Sequence, residues 1–208
     1  MGFQSTGFQN LGNWLARLAR LDLTVFDDVK DDAAATAPTL AVMLVASFAA
    51  GLGSLLWWIT RDFHGADSKT GEAFLKTFVL GGIFQAALWL AWVYIAAMLL
   101  SRVFGAGADL NRMLRTMGLA FAPMVITILM VIDILAVPFA VIALGATLLL
   151  SNAAIQASSD AEPRQAIMAN LAGFSVFAIV LGILGTVAQV GDVGGIAPGI
   201  FFVPLNFL

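Results

Sequence analysis

The chain has 208 residues, 61% of them hydrophobic and only 11% charged, against roughly 45–50% apolar and 25% charged in average soluble domains. A soluble domain this short buries only about 70% of the surface its unfolded chain exposes, so the apolar excess must face lipid or partner proteins. The net charge of −3 leaves no footprint for nucleic acid, and the absence of cysteine removes disulfides, cysteine-ligated zinc, iron–sulfur clusters and thiol catalysis together.

Residues 1–36 read as a polar lead-in and not as a secretory signal, which would put a short apolar stretch and a cleavage site near Met1. Within it Leu11, Trp14, Leu15, Leu18 and Leu21 recur at helical spacing, with Asn13, Arg17 and Arg20 elsewhere on the wheel. That pattern predicts an amphipathic interfacial helix with Trp14 at headgroup depth; a helix packed on the protein's own surface fits it equally. The acidic run Asp27, Asp28, Asp31 and Asp32, interrupted by Lys30, reads as a solvated face.

The first span is predicted from Pro38 to Thr60, capped by Thr36, with Pro38 in the first turn where its missing N–H costs nothing. About 23 residues rising 1.5 Å each cover about 34 Å, enough for a hydrocarbon core of about 30 Å. Trp57 and Trp58 close it as an aromatic belt, and Ser47/Gly51, Ala49/Gly53 and Ala50/Ser54 are small pairs that let another helix approach. A polar loop, 61–71, leads to a second span, 74–100, with Gln85 near its middle and Trp89, Trp92 and Tyr94 in its second half. Ser101 to Asn111 is a polar, glycine-bearing connection in which Asp109 caps a short helix carrying Arg112 and Arg115.

The run from Gly118 to Ala157 holds about 40 residues, or about 60 Å as one helix, twice the core thickness. It must fold back. Asp133 and Pro138 are its only polar and helix-breaking marks, so two spans are predicted, 118–133 and 138–157, with the Asp133 carboxylate brought to the interface. Ser159 and Glu162 have capping-box spacing, with Pro163 in the first turn of a fifth span, 166–188, that carries Gly173, Gly182 and Gly185. The tail 189–208 is apolar but broken by glycines and prolines. Backbone so irregular cannot face lipid at depth, which places it at the interface or on protein, anchored by Phe201, Phe202 and Phe207.

The fold class is therefore all-α: a polytopic transmembrane bundle of about five spans. It comprises an N-terminal segment 1–36, a membrane domain 37–188 and the tail 189–208. Arg17, Arg20, Lys30, Arg102, Arg112, Arg115 and Arg164 fall on one side, and Arg61, Lys69 and Lys76 on the other. The excess places the N-terminus in the cytoplasm and the C-terminus outside.

Catalytic chemistry finds no foothold in the sequence. One histidine, His64, cannot form a metal site or a haem axial pair, and Gly105–Ala106–Gly107 lacks the Lys-Ser/Thr of a phosphate loop. No catalytic, cofactor-binding or metal-ligating residue is predicted. In-span polar groups reduce to Asp133 and neutral Gln85, Asn152, Gln156 and Asn170, which suit helix-to-helix hydrogen bonds better than an ion path.

Three features together resemble the YIP family, multi-span membrane proteins named for interaction with Rab-type GTPases, and especially its prokaryotic members. They are Leu21–Ser54 (LDLTVFDDVKDDAAATAPTLAVMLVASFAAGLGS), Leu99–Pro123 (LLSRVFGAGADLNRMLRTMGLAFAP) and the five-span layout with a tight third-to-fourth turn. The resemblance implies a non-enzymatic integral membrane protein with a cytoplasmic N-terminus and no cofactor, in a prokaryotic cytoplasmic membrane. The Asp-Leu-Tyr-Gly-Pro motif of the eukaryotic branch is absent, Asp22–Leu23 being followed by Thr24, so Rab-type GTPase binding is not carried over. The expected role is a scaffold, membrane-organising factor or accessory subunit, with other membrane proteins held by the small-residue faces and the tail. The rival is a small transporter or channel.

Overall fold

A computed structural model describes residues 5–60 and 66–187. The predictions for Arg61, His64 and the tail 189–208 lie outside the described residues. Among the described residues every regular element is helical: α1 (Ser5–Ala19), α2 (Val25–Asp31), α3 (Thr36–Thr60), α4 (Ala66–Ala73), α5 (Gly81–Met98), α6 (Leu110–Ala120), α7 (Ala136–Ser158) and α8 (Pro163–Val187). Among the described residues five stretches are long and apolar enough to cross a membrane: Ala33–Thr60, Thr70–Val103, Leu110–Val131, Ala136–Ser158 and Pro163–Gly185. The protein is a multi-span membrane protein.

Several element ends move from their predicted places, each for a local reason. Asp32, not Thr36, opens the first span: its carboxylate accepts the Ala34 N–H at 2.8 Å and starts a 3₁₀ turn, Ala33–Ala35, that runs into α3. Helix also reaches back into the predicted 61–71 loop, because α4 continues into π-helical Phe74–Leu80 and then α5. Asp109 caps α6 as expected, accepting from Asn111 N–H at 2.7 Å and Arg112 N–H at 3.2 Å. The Ser159/Glu162 box does not form. Ser159 donates to the Ile155 carbonyl instead, and the Gln165 side chain accepts the Glu162 N–H at 3.0 Å, so the reciprocal half of the motif sits three residues later.

The fold-back falls at residues 132–135, with Asp133 opening the short 3₁₀ turn Asp133–Leu135. Pro138 is not in the turn but in the first turn of α7, where no N–H is missed. The third span starts at Leu110 and changes coil midway, since Ala122–Val131 is 3₁₀ over its whole length. Runs beyond three or four residues are uncommon, because the hydrogen-bond geometry is poorer.

The described residues fall into two compact units. The first lies within Met1–Met43, Leu90–Ala122 and Thr147–Ser175, the second within Leu44–Trp89, Pro123–Ala146 and Val176–Leu208.

In the first unit α1 packs on the chain itself. Gly7 rests on the Ala34 carbonyl and the Pro38 ring, too close for a Cβ, and Trp14 and Leu18 are buried. Trp14 therefore serves the protein and not the headgroups, while Phe8 stays exposed on the same helix. Deeper in this unit the Trp92 indole N–H donates to Asn170 Oδ1 at 3.1 Å, and Asn170 Nδ2 donates to the Leu148 carbonyl at 3.0 Å. Gly173 gives Trp92 its place, for a Cβ there would strike the indole. The helix-to-helix use predicted for Asn170 is the one it has.

In the second unit the small face of α3 is consumed internally. Gly51 meets the Thr77 carbonyl of the π segment, where a Cβ would lie 2.8 Å from the oxygen, and Gly53 meets the Thr127 carbonyl of the 3₁₀ segment. Both contacts are backbone against backbone. Leu55, Trp57, Trp58, Ala73, Met130, Ala136 and Ala140 complete the core there. Trp57 and Trp58 are thus core residues, not an aromatic belt.

The last turn of α1 carries strain. The Asp22 N–H bonds the Arg17 carbonyl at 3.0 Å and the Leu21 N–H the Leu18 carbonyl at 2.9 Å, the paired bonds of a Schellman cap. Leu21 occupies its left-handed position at φ +60°, where glycine is the usual residue. Since an L side chain costs roughly 1–2 kcal/mol in that conformation, Leu21→Gly is expected to raise stability by about 1 kcal/mol in a denaturing-detergent titration. An unchanged midpoint would mean that Leu21 is not left-handed.

Candidate functional site

The chemistry-bearing side chains gather in the first unit, around the N-terminal segment and the two connections that meet it. The acidic run fastens that segment. Lys30 pairs with Asp27 at 2.7 Å, Arg112 with Asp31 at 2.8 Å, and Asp32 caps the turn before α3. Arg115 reaches from α6 to the Lys30 carbonyl at 2.7 Å and to Thr36 Oγ1 at 2.9 Å. The run is a solvated face, with Asp27, Asp28 and Asp31 exposed, and one of its acids, Asp31, also pairs with Arg112 far along the chain. Nothing in the local pattern signalled that.

Arg17 is the second fastening. Its guanidinium donates to Asp22 at 2.8 Å and to Thr24 Oγ1 at 2.9 Å, and it pairs with Asp28. The Thr24 hydroxyl in turn donates to Asp22 Oδ1 at 2.6 Å. Hydrogen bonds from Thr24, then from Arg17, hold the Asp22 carboxyl below the usual aspartate value, and the bonds to Asp28 and Asp22 raise the Arg17 guanidinium. A carboxyl lowered on folding stabilises fully above its unfolded value and loses that contribution as pH falls through the folded one. Below about pH 4, the ordinary aspartate range, the α1–α2 junction is expected to loosen, visible as faster proteolysis near Leu23 at pH 3 than at pH 7. Asp22→Asn should erase most of that pH response; an equal response in the variant would count against the assignment. Solvent screening keeps the effect small.

Between α2, the 104–109 connection and the turn after α7 lies an open polar cleft of about 680 Å³. A single bridge pairs Ala108 with Ser159, reinforced by Asp160 N–H to the Gly107 carbonyl at 3.0 Å. Gly105, at φ +66°, provides the left-handed turn that brings the first connection round. Charge comes from Asp27, Lys30, Asp109, Arg112 and Asp160. Both cations are in ion pairs, and the Ser158 and Ser159 hydroxyls donate back to Ala154 and Ile155. Gln156, predicted for a helix contact, lines this cleft and is exposed.

The remaining in-span polar groups are arranged differently. Gln85 is fully buried in the second unit with neither amide atom hydrogen-bonded among the described residues. Thr147 and Ser151, one turn apart on α7, are fully buried with unbonded hydroxyls, and Asn152 Oδ1 is likewise unbonded. Elsewhere Thr39, Thr77, Thr116 and Ser158 each donate to a carbonyl one turn back.

Among the described residues no three His, Asp or Glu side chains group closely enough to hold a metal. The cleft contains carboxylates, cations and self-bonded hydroxyls, an arrangement that can recognise polar and charged groups. No family model matches the chain, and no curated protein or solved structure matches it either.

Proposed function

We propose that this is a non-catalytic integral membrane protein that acts as a scaffold, membrane-organising factor or accessory subunit, using the polar cleft as its contact surface. The observation that carries this reading is the fastening of the cleft's walls. Arg112 and Arg115 tie the N-terminal segment to α6, and the Ala108–Ser159 bridge ties the two connections. A pre-organised surface lowers the ordering cost of association. The small-residue face of α3, expected to bind partners, is spent inside the fold, so the cleft inherits that role. The excess of Lys and Arg favours a cytoplasmic location for it. The likeness to the YIP family points to the same non-enzymatic role.

Gentle purification from native membranes tests the proposal. Stable subunits should accompany the wild-type protein and be lost from Asp160→Lys, whose side chain lies in the cleft with no side-chain partner among the described residues. Equal recovery from the variant would overturn the role of the cleft. A second reading, a small transporter, is favoured by Gln85, a fully buried side chain inside a candidate span whose amide is unpaired among the described residues, since unpaired polar groups are costly to keep in a membrane. Monodisperse protein giving substrate-dependent flux in liposomes, abolished by Gln85→Leu, would establish it and displace the first.

A further inference from the structure

Inward from the cleft, one buried side of α7 carries hydroxyls. Thr147, Ser151, Ala154 and Ser158 follow one another at intervals of four, three and four residues, so they share one side of the helix. All four are buried, and Ser158 lines the cleft. At a rise of 1.5 Å per residue, Thr147 lies about 16 Å further along the helix axis, about half of a hydrocarbon core of about 30 Å. Beyond Thr147 the same side continues as Ala143, Ala140 and Ala136, all buried. Its polar part therefore ends at mid-span.

Two of these hydroxyls differ from the rest. A serine or threonine in a helix can donate to the carbonyl one turn back, and Ser158, Thr39, Thr77 and Thr116 do so. Thr147 and Ser151 are fully buried, yet neither hydroxyl has a hydrogen-bond partner among the described residues. Asn152 Oδ1, at the next position, is unbonded as well. Valine and alanine would fill the same space without the cost of a buried, unmade bond. Hydroxyls turned away from their own helix carbonyls point to a partner from outside the chain. Its size follows from their spacing. Side chains one turn apart on a helix lie about 5–6 Å from each other, the reach of two O–H···O bonds of about 2.8 Å each. One water oxygen fits that gap, accepting from one hydroxyl and donating to the other.

We infer that water enters the first unit from the cleft and is held at mid-span between Thr147 and Ser151, making the Ser158-to-Thr147 side of α7 a hydrated track closed at Ala143. Ala154, between the hydroxyls, contributes only a methyl to that side. The track is independent of what the cleft binds and of any use of Gln85.

Water-edited solid-state NMR on the full chain in phosphatidylcholine bilayers tests this, since magnetisation passes from water protons to nearby side-chain carbons. The carbons of Thr147 and Ser151 are expected to gain signal at least about twofold faster than those of two controls. Ala143 lies on the same side one turn beyond, and Leu149 lies at the same depth but is exposed. Thr147→Val keeps the side chain's shape and removes its hydroxyl; combined with Ser151→Ala, it should slow the Ala154 methyl to the rate of Ala143. In a denaturing-detergent titration each single variant is expected to lower the unfolding midpoint. The double variant should lower it no further than the larger single effect, because one bridging water is lost with either hydroxyl. Equal signal gain at Thr147, Ser151, Ala143 and Leu149 would overturn the inference. So would a Thr147→Val midpoint at or above that of the wild type, the result for a hydroxyl that holds nothing.

Discussion

Gly53→Ala is expected to destabilise the protein by about 2–3 kcal/mol, the upper part of the range for forcing extra atoms into a packed interior. The new methyl would meet the Thr127 carbonyl, with Ile128 Cα at 3.0 Å, and both belong to backbone. A side chain could rotate away; a carbonyl in a 3₁₀ coil moves only if the coil moves. Gly145 in α7 is the matched control. It is exposed, and a methyl added there would find nothing within 4 Å, so Gly145→Ala should be neutral or stabilising by up to about 1 kcal/mol through helix propensity. Denaturing-detergent titration of both variants in mixed micelles measures the difference. Equal midpoints would mean that α3 and the 3₁₀ segment do not approach as closely as Gly53 indicates.

Asn170→Leu is expected to cost about 1–2 kcal/mol, and it tests the hydrogen bonds deep in the first unit. Removing the amide leaves the Trp92 indole N–H, which is fully buried, without its acceptor, and an unmade buried bond costs about 1–3 kcal/mol. The membrane tempers that figure, since polar pairs within bilayers average only about 0.6 kcal/mol of coupling and reach about 1.7. The double variant with Trp92→Phe should therefore lose less than the two single variants combined, by an amount in that range. Strict additivity would show that the 3.1 Å contact contributes nothing to stability.

Both predictions bear on how the helices hold together where apolar burial gives little drive. Lipid tails are as apolar as leucine, so close backbone approach and hydrogen bonds must supply what the hydrophobic effect supplies in water. Gly51 and Gly53 supply the first in one unit, and Asn170 and Gly173 supply both in the other. The exposed leucines, isoleucines and valines of α7 and α8, such as Leu149, Ile179 and Ile183, then need no further partner than lipid.

Five spans, the fold-back near Asp133, the cap at Asp109 and the turn at Gly105–Gly107 were all legible in the amino-acid order. Each depends on length, hydropathy or a residue's own backbone preference, and none of these needs a neighbour to express itself. Element ends were less legible. Asp32 displaced Thr36, and Gln165 displaced the predicted box, because several residues could cap and packing selected among them.

What only the tertiary structure decided is direction. The order of residues makes α1 amphipathic, but whether Trp14 met lipid or protein depended on Gly7 seating the helix against Ala34 and Pro38. It marks the small residues of α3 as a packing face without saying that Thr77 and Thr127 of the same chain would occupy it. It shows an acidic run without the distant Arg112 that one of its acids finds. Periodicity and composition act along the chain; a partner far off in sequence enters only when the chain folds.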